Sequence, residues 1–265
     1  MSSVEANVWM VRPQEVCDDQ MRLIEGLLDP AELERAARFR FDEDRRAYVV
    51  AHGLRRIVLG DLLGVDPARL MISRRDSGQP QLIWPERCEV YFSHSHTREL
   101  VAFAAGAEPL GIDVECVTGV EYDFELLEPY LILPPSDQRA AELGENLAGQ
   151  FFFYWTVLES FWKAQGKGLS TENPRICCER NRERIFEITV EDGGLNAQAQ
   201  VFATVSRIEA PRGCVVSLAQ RRLHGTTRIG CSSFHLDAES AGKKDKFFQR
   251  IKRYQDSDLV TMVSV

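Results

Sequence analysis

Residues 111–116 read GIDVEC, and this stretch decides the fold. Apolar and acidic residues alternate along it, which is typical of a β-strand, because successive strand side chains point to opposite faces. Asp113 and Glu115 are therefore expected on one face, with Ile112 and Val114 on the other. Two carboxylates about 5 Å apart raise each other's pKa unless a cation relieves them, and hard oxygen ligands suit Mg²⁺ or Mn²⁺. The alternative is a solvated acidic face on an edge strand.

An aromatic segment, FFFYWTVLESFWK at residues 151–163, is the second informative stretch. Apolar residues recur at helical spacing, at positions 151, 154, 155, 158, 161 and 162, so we expect an amphipathic helix. Glu159 borders this apolar stripe, and Lys163 follows one turn later. Burying a carboxylate without a partner is costly, which makes Glu159 a candidate for a metal or catalytic site. The alternative is an ion pair with Lys163 at a surface edge.

A polar motif, Ser93-His94-Ser95-His96, follows a predicted strand at 90–92. His94 and His96 have the spacing of a zinc pair, but a zinc hydrolase needs a further ligand that the next residues do not supply. A histidine with two hydroxyls at the end of a strand is also suited to contact a phosphate. A polar turn without function is the third interpretation.

The rest of the chain mixes helices and strands. Asp29-Pro30 is a helix-start signal, and residues 44–63 have the spacing of a long amphipathic helix that ends at Gly64. Gly166 is expected to stop the aromatic helix. Further strands are predicted at 7–12, 100–104, 110–117, 185–190, 198–208, 213–219 and 259–265. This order indicates an α/β (α+β) fold in which both halves share a helix-plus-strands plan.

Composition excludes several classes of protein. The chain has 265 residues, of which 44% are hydrophobic and 27% charged, as in an ordinary globular protein of one large or two smaller domains. The net charge of −8 argues against a nucleic-acid partner bound by bulk electrostatics. No signal peptide or membrane span is recognisable, and seven scattered cysteines without a CxxC motif are typical of reduced thiols, so a cytoplasmic location is expected.

Taken together, separated segments resemble the two-domain 4′-phosphopantetheinyl transferases that activate surfactin, siderophore and polyketide synthases. The main ones are SHS at 93–95, GIDVE at 111–115, and WTVLESFWK at 155–163 running into GKGLS at 166–170. DPAE at 29–32, RFRF at 38–41, GQP at 78–80 and DLVTMVS at 258–264 resemble further parts of the family. The resemblance covers nearly the whole chain, with 221–257 as a divergent region.

The resemblance implies a fold and a reaction. The family has two similar halves related by a pseudo-twofold, each a small sheet packed on helices, with coenzyme A between them; here they would be residues 1–110 and 111–265. Its enzymes move the 4′-phosphopantetheine arm of coenzyme A to a serine of an acyl, peptidyl or aryl carrier protein and release adenosine 3′,5′-bisphosphate. A chain with two halves can enclose its own site, so a monomer is expected.

Roles for individual residues also follow from the resemblance. Mg²⁺, with Mn²⁺ as the alternative, would be held by Asp113, Glu115 and Glu159. Glu159, or a metal-bound water, would take the proton of the carrier serine. Lys163 would bind coenzyme A phosphates and stabilise developing charge. His94 with Ser93 would contact the 3′-phosphate of coenzyme A, and Arg35 would supply another basic phosphate contact, with Arg38 and Arg56 as weaker candidates.

Two positions depart from the family pattern. The family usually has a lysine directly before the helix glutamate, where this chain has Leu158, and a basic residue in the glycine–proline turn, where it has Gln79. Loss of two cations motivates an alternative function, a non-catalytic descendant that binds coenzyme A or a carrier domain as a regulator. A metal-dependent hydrolase using His94 and His96 is the third hypothesis. The basic run Lys243–Arg253 is a candidate carrier-docking face, or a solvated helix face.

Overall fold

The computed structural model describes ten segments of the chain. They are residues 4–86, 88–117, 124–135, 147–182, 184–190, 201–208, 210–211, 213–221, 227–233 and 261–262. The candidate docking run Lys243–Arg253 lies outside the described residues, as do nearly all of the divergent region beyond Ser233 and most of the predicted last strand.

Helices and strands are mixed, which confirms the α+β class. The helices are α1 (Asp18–Glu25), α2 (Pro30–Ala36), α3 (Asp42–Leu63) and α4 (Leu147–Ala164). The strands are β1 (Val4–Val11), β2 (Met71–Arg74), β3 (Pro80–Trp84), β4 (Tyr91–His96), β5 (Val101–Gly106), β6 (Leu110–Cys116), β7 (Leu131–Ile132), β8 (Ile176–Arg182), β9 (Ile185–Val190), β10 (Val201–Ile208), β11 (Cys214–Arg221), β12 (Thr227–Ser233) and β13 (Thr261–Met262). Short 3-10 turns lie at Pro13–Glu15, Pro67–Arg69 and Phe124–Leu127.

The strands form two larger sheets and one hairpin. The first sheet has the order β13-β12-β1-β5-β4, the second has β6-β11-β10-β9-β8-β7, and β2 pairs with β3 alone. β1 is antiparallel to β5 and parallel to β12. The first sheet therefore combines strands from both ends of the chain. The predicted division at residue 110 stays a prediction.

Buried side chains form three clusters, and these clusters show how the helices and the two sheets are layered. Helices α1, α2 and α3 cover one face of the first sheet, where Phe92 and Phe103 pack against α3 residues such as Leu54. The opposite face of that sheet packs on the second sheet, for example through Val8 and Ile112. A third cluster fills the space between α4 and the second sheet. The two sheets are thus sandwiched between helices, and the edge strands β4 and β6 lie close to each other.

Predicted helix ends agree with the structure. The Asp29 side chain accepts a hydrogen bond from the backbone N–H of Glu32, and the Glu32 side chain accepts one from the N–H of Asp29, which forms a capping box at the start of α2. Gly64, with φ of 64°, ends α3 in the left-handed region, and Gly166, with φ of 71°, follows α4. Sequence reasoning missed the hairpin β2–β3 and the strands β7, β8 and β12.

The expectation that all cysteines are reduced thiols was wrong for one pair. Cys116 and Cys214 occupy opposite positions in the antiparallel pair β6–β11 and are joined by a disulfide. They are 98 residues apart in sequence, so only the strand register brings them together. In the described part of the chain, no helix is long and apolar enough to cross a bilayer.

Candidate active site

The site is built on a close approach between β6 and α4. A Cβ atom on Gly111 would lie 2.1 Å from the carbonyl oxygen of Ser160 and 2.5 Å from the backbone nitrogen of Ala164, so only glycine fits. Asp113, two residues along the strand, therefore faces the same helix. This packing explains why the acidic face of β6 is covered instead of solvated.

Asp113 is buried at the centre of the site. Its Oδ1 accepts hydrogen bonds from Lys163 Nζ at 2.6 Å and from the Ser95 hydroxyl at 2.8 Å. Its Oδ2 is buried and has no hydrogen-bond partner among the described residues. An orphaned carboxylate oxygen is costly, which indicates a ligand position that the protein itself does not fill.

Glu115 and Glu159 feel the charge of Asp113. Burial, followed by the negative charges of Asp113 and Glu159, raises the pKa of Glu115 to about 7, although Lys163 opposes the shift. Burial also raises the pKa of Glu159, with Lys163 lowering it and Asp113 raising it. Burial and the charge of Asp113 therefore disfavour the charged forms of Glu115 and Glu159, and a nearby cation would offset this effect.

The carboxylates of Asp113, Glu115 and Glu159 are suitable ligands for a hard divalent cation. In this structure, however, they are not arranged around one common point. Among the described residues, no group of three or more His, Cys, Asp and Glu side chains is assembled as a metal site. The Lys163 ammonium instead supplies the counter-charge to Asp113. Carboxylate oxygens, one of them unpartnered, are nonetheless the ligands that Mg²⁺ prefers.

Four of the predicted site residues line one cavity of about 290 Å³: Ser93, His94, Glu159 and Lys163. The two serines of β4 also connect the sheet edges. Ser93 Oγ accepts a hydrogen bond from the backbone N–H of Ile112 at 3.2 Å, beside the Ser95–Asp113 bond. Side chains of β4 thus hold the acidic strand β6 in place next to the cavity.

Histidines extend from this cavity towards α3. Burial, followed by the positive charge of Arg55, lowers the pKa of His94 well below its usual value, so His94 is neutral at physiological pH. Its ring centroid lies 5.3 Å from that of His52, and 6.5 Å from that of His96. The described residues bring no third ligand group to the His94–His96 pair, as a zinc hydrolase would need.

Arg35 lies in a second cavity of about 650 Å³ that adjoins the first. The guanidinium of Arg35 is 5.9 Å from the centroid of the Tyr48 ring. The two cavities share Arg55, Arg74 and Pro80 in their walls. We call the two adjoining cavities together the groove.

Two arginines between the two cavities were not predicted as site residues, and one predicted phosphate contact lies outside the cavities. Arg55 and Arg74 face both cavities, and nothing in their spacing distinguishes them from surface residues of a helix and a hairpin. Arg56, by contrast, is only 1% exposed and is bound to Glu32, Asp29 and Leu70. It is a structural residue, so the suggestion that it contacts a phosphate was wrong.

The two departures from the family pattern have different structural reasons. Leu158 is fully buried and packs in the cluster between α4 and the second sheet. Gln79 is half-buried, lines the smaller cavity, and donates a hydrogen bond to the carbonyl of Lys163 at 3.2 Å. Leu158 completes the apolar stripe, whereas Gln79 is a neutral residue in the binding groove.

Comparison with known proteins agrees with this geometry. A family model described as the N-terminal part of 4′-phosphopantetheinyl transferase matches residues 14–108. The 4′-phosphopantetheinyl transferase HetI of Nostoc sp. is 30% identical over 172 residues, which are 63% of this chain and 71% of the relative. Sfp of Bacillus subtilis, also named a 4′-phosphopantetheinyl transferase, is 24% identical over 163 residues, 62% of this chain and 70% of the relative. A phosphopantetheinyl transferase of Thraustochytrium sp. is 27% identical over 187 residues, 66% of this chain and 65% of the relative.

The chain therefore belongs to the 4′-phosphopantetheinyl transferase family and is a transferase enzyme. The resemblance noted in the sequence is confirmed.

Proposed function

We propose that this protein transfers the 4′-phosphopantetheine arm of coenzyme A to a serine of an apo acyl, peptidyl or aryl carrier protein and releases adenosine 3′,5′-bisphosphate in a Mg²⁺-dependent reaction. One observation carries the proposal. Asp113, Glu159 and Lys163 converge beside the cavity that holds Ser93 and His94, in a chain of this family. Relatives named as 4′-phosphopantetheinyl transferases support the identity of the transferred group.

Asp113, Glu115 and Glu159 would hold Mg²⁺. When bound, the ion neutralises negative charge on the pyrophosphate and polarises the phosphoryl oxygen. The unpartnered Oδ2 of Asp113 and the raised pKa values of Glu115 and Glu159 support this assignment. Lys163 lies at 2.6 Å from Asp113, where its ammonium can reach an oxygen of the transferred phosphoryl group.

Glu159 is proposed as the general base. It lines the smaller cavity, where its carboxylate can accept the proton of a serine hydroxyl that enters the cavity. The carrier serine oxygen forms the new bond to phosphorus, the bond to the leaving nucleotide phosphate breaks, and the serine proton passes to Glu159. Ser93 and His94 in the smaller cavity would contact the 3′-phosphate of coenzyme A, and Arg35 in the larger one would contact another of its phosphates.

The proposal implies a binding site between two parts of the chain. Ser93 and His94 come from before residue 110, and Glu159 and Lys163 from after it. We propose the halves 1–110 and 111–265 on either side of this site, with β12 of the second half joined to the sheet of the first. Because one chain supplies both walls of the groove, a monomer suffices. A cytoplasmic location, where coenzyme A is available, fits the proposed substrate.

The test is a mass-shift assay. Purified protein, coenzyme A and Mg²⁺ are mixed with apo carriers of fatty-acid, peptide and polyketide synthesis, and we expect the mass of a carrier to rise by one phosphopantetheine arm. A chelator in place of Mg²⁺ should abolish the gain. Glu159→Gln and Asp113→Ala should each lower turnover by roughly a hundredfold or more, whereas Asp61→Asn, an exposed carboxylate of α3, should not change it.

Failure would take two forms. Absence of transfer to every carrier of the panel would reject the activity, and unchanged turnover in both Glu159→Gln and Asp113→Ala would reject the site. Gln79 favours a second candidate, a coenzyme A-binding regulator, because the groove lacks a cation at that turn. Calorimetric binding of coenzyme A together with zero transfer would support that candidate.

A further inference from the structure

A buried charge network lies behind the groove. Glu32 accepts hydrogen bonds from Arg55 Nη2 and, at 2.8 Å, from Arg56 Nε. His52 Nδ1 lies 3.0 Å from both Glu32 Oε1 and Arg55 Nη2. All four side chains are nearly inaccessible to solvent. Such a network fixes the direction in which each guanidinium points.

The two arginines of this network differ in what they have left to bind. Arg56 uses all three of its nitrogens on protein oxygens, including the carbonyl of Leu70 and the carboxylate of Asp29. Arg55 makes all of its hydrogen bonds to described residues through Nη2, and its Nε is buried without a partner among them. Burying an unsatisfied guanidinium nitrogen is costly, so Arg55 is the member with capacity for a ligand.

Arg55 also lies in the right place. It is 4% exposed, yet it forms part of the wall of both cavities. His94, in the smaller cavity, is neutral, partly because the charge of Arg55 acts on it. A phosphate bound there cannot take its counter-charge from His94, and Gln79 supplies none. Lys163 and Lys167 also line this cavity, but Lys163 pairs with Asp113 and Lys167 is exposed. Arg55 is the buried cation that Glu32 holds in a fixed direction beside His94.

We propose that Arg55 contacts the 3′-phosphate of coenzyme A and makes the enzyme prefer coenzyme A to 3′-dephospho-coenzyme A, with Glu32 and His52 as positioning residues. This inference rests on the proposed function, because it assumes coenzyme A as the substrate. Arginine presents a planar fork that matches phosphate oxygens, and pre-orientation by Glu32 lowers the entropy lost on binding. The rim arginine, Arg74, is exposed and is expected to contribute less.

The experiment compares the two donors in steady-state transfer. For Arg55→Met we expect KM for coenzyme A to rise about ten- to a hundredfold, while kcat/KM for 3′-dephospho-coenzyme A changes by less than about threefold, so that the preference collapses. Arg55→Lys, which keeps the charge and loses the fork, should retain an intermediate preference. Arg45→Met is the matched control, since Arg45 lies on the same helix and pairs with Glu25 away from the groove.

The results of this experiment distinguish a failure of the Arg55 proposal from a failure of the proposed function. If the unaltered enzyme transfers the arm but Arg55→Met keeps its preference, Arg55 is not the contact and the proposal is overturned. Loss of preference in Arg74→Met instead would assign the contact to the rim arginine and would equally overturn the proposal. If Arg55→Met does not fold, the comparison is made with Arg55→Lys, where an unchanged preference counts against the proposal. Absence of transfer by the unaltered enzyme would reject the proposed function instead.

The positioning role has its own readout. His52→Asn should raise KM for coenzyme A several-fold without changing kcat, and should leave KM for the 3′-dephospho donor unchanged. A purely structural role of His52 would affect both donors equally, and that result would contradict it as a positioning residue. Calorimetry with adenosine 3′,5′-bisphosphate and adenosine 5′-phosphate measures the same preference without transfer.

Discussion

Neighbouring residues of α4 have opposite environments. Leu158 has no exposed surface, whereas Glu159 reaches the smaller cavity. One residue of a helix advances by about 100°, so adjacent side chains face different surroundings. Position 158, where the family usually has lysine, is therefore a core position in this protein, and leucine fills it.

Restoring the family lysine at position 158 should therefore damage the protein. Leu158→Lys would place an ammonium among the apolar side chains of the cluster between α4 and the second sheet, and burying a charge there is costly. We expect the melting temperature to fall by roughly 10 °C, as measured by thermal unfolding. A variant as stable as the original protein would show that position 158 opens to solvent.

The matched change is Gln79→Lys. This position is half-buried in the groove, so a lysine can keep its ammonium in water or near a bound phosphate. We expect a melting temperature within about 3 °C of the original and a KM for coenzyme A lowered several-fold, since a cation is added beside a polyanion. An increased KM would mean that the Gln79 bond to the Lys163 carbonyl matters more than the charge.

At the scale of elements, the contact between β6 and α4 controls the site. The close approach at Gly111 sets the distance between Asp113 on the strand and Lys163 on the helix. Any atom added at Gly111 must push the two elements apart, because the nearest atoms belong to the backbone of α4.

Gly111→Ala is predicted to lower both stability and turnover. A Cβ 2.1 Å from the Ser160 carbonyl forces a backbone shift, and overpacking of this kind costs about 1–3 kcal/mol or more. Transfer activity should fall more than the folded fraction does, since the carboxylates move relative to Lys163. Gly26→Ala is the control, because its Cβ would lie at an ordinary 3.4 Å from its nearest neighbour. Equal behaviour of the two variants in thermal unfolding would contradict the prediction.

The strand and the helix that carry the site could be predicted from local sequence patterns. The alternation in GIDVEC and the aromatic spacing of 151–163 predicted β6 and α4, because periodicity is a local property of the sequence. Sheet order and register depend on contacts between distant residues, so neither the Cys116–Cys214 pairing nor the place of β12 next to β1 could be predicted. For the same reason the carboxylates were found, while Arg55, defined by a network that joins α2 to α3, was missed.

At the scale of the whole molecule, the buried network of Glu32 and His52 links stability to pH. Burial alone would raise the pKa of Glu32, but the hydrogen bond with His52 and the charges of Arg55 and Arg56 lower it to about 2. Burial, only partly offset by Glu32, lowers the pKa of His52 to about 4. Both groups bind protons more readily in the unfolded chain, so acid favours unfolding.

Acid should therefore destabilise the protein in two overlapping windows. The contribution of His52 is complete above about pH 6.5 and is lost as the pH falls towards 4. That of Glu32 is complete above about pH 4.5 and is lost towards pH 2, with a size of about 3 kcal/mol. Urea unfolding from pH 7 to pH 3 measures the profile. Glu32→Gln should flatten the lower window and His52→Asn the upper one, and profiles parallel to the original would contradict the assignment.

The position of β1 in the first sheet has a consequence for synthesis of the chain. β1 ends at Val11 and is therefore synthesised long before β12, its parallel neighbour, which begins at Thr227. During most of translation one edge of β1 has no β12 to pair with, and an unpaired edge is a template for another nascent chain. A nascent chain that already contains β1 is thus most at risk of aggregation until β12 has been synthesised.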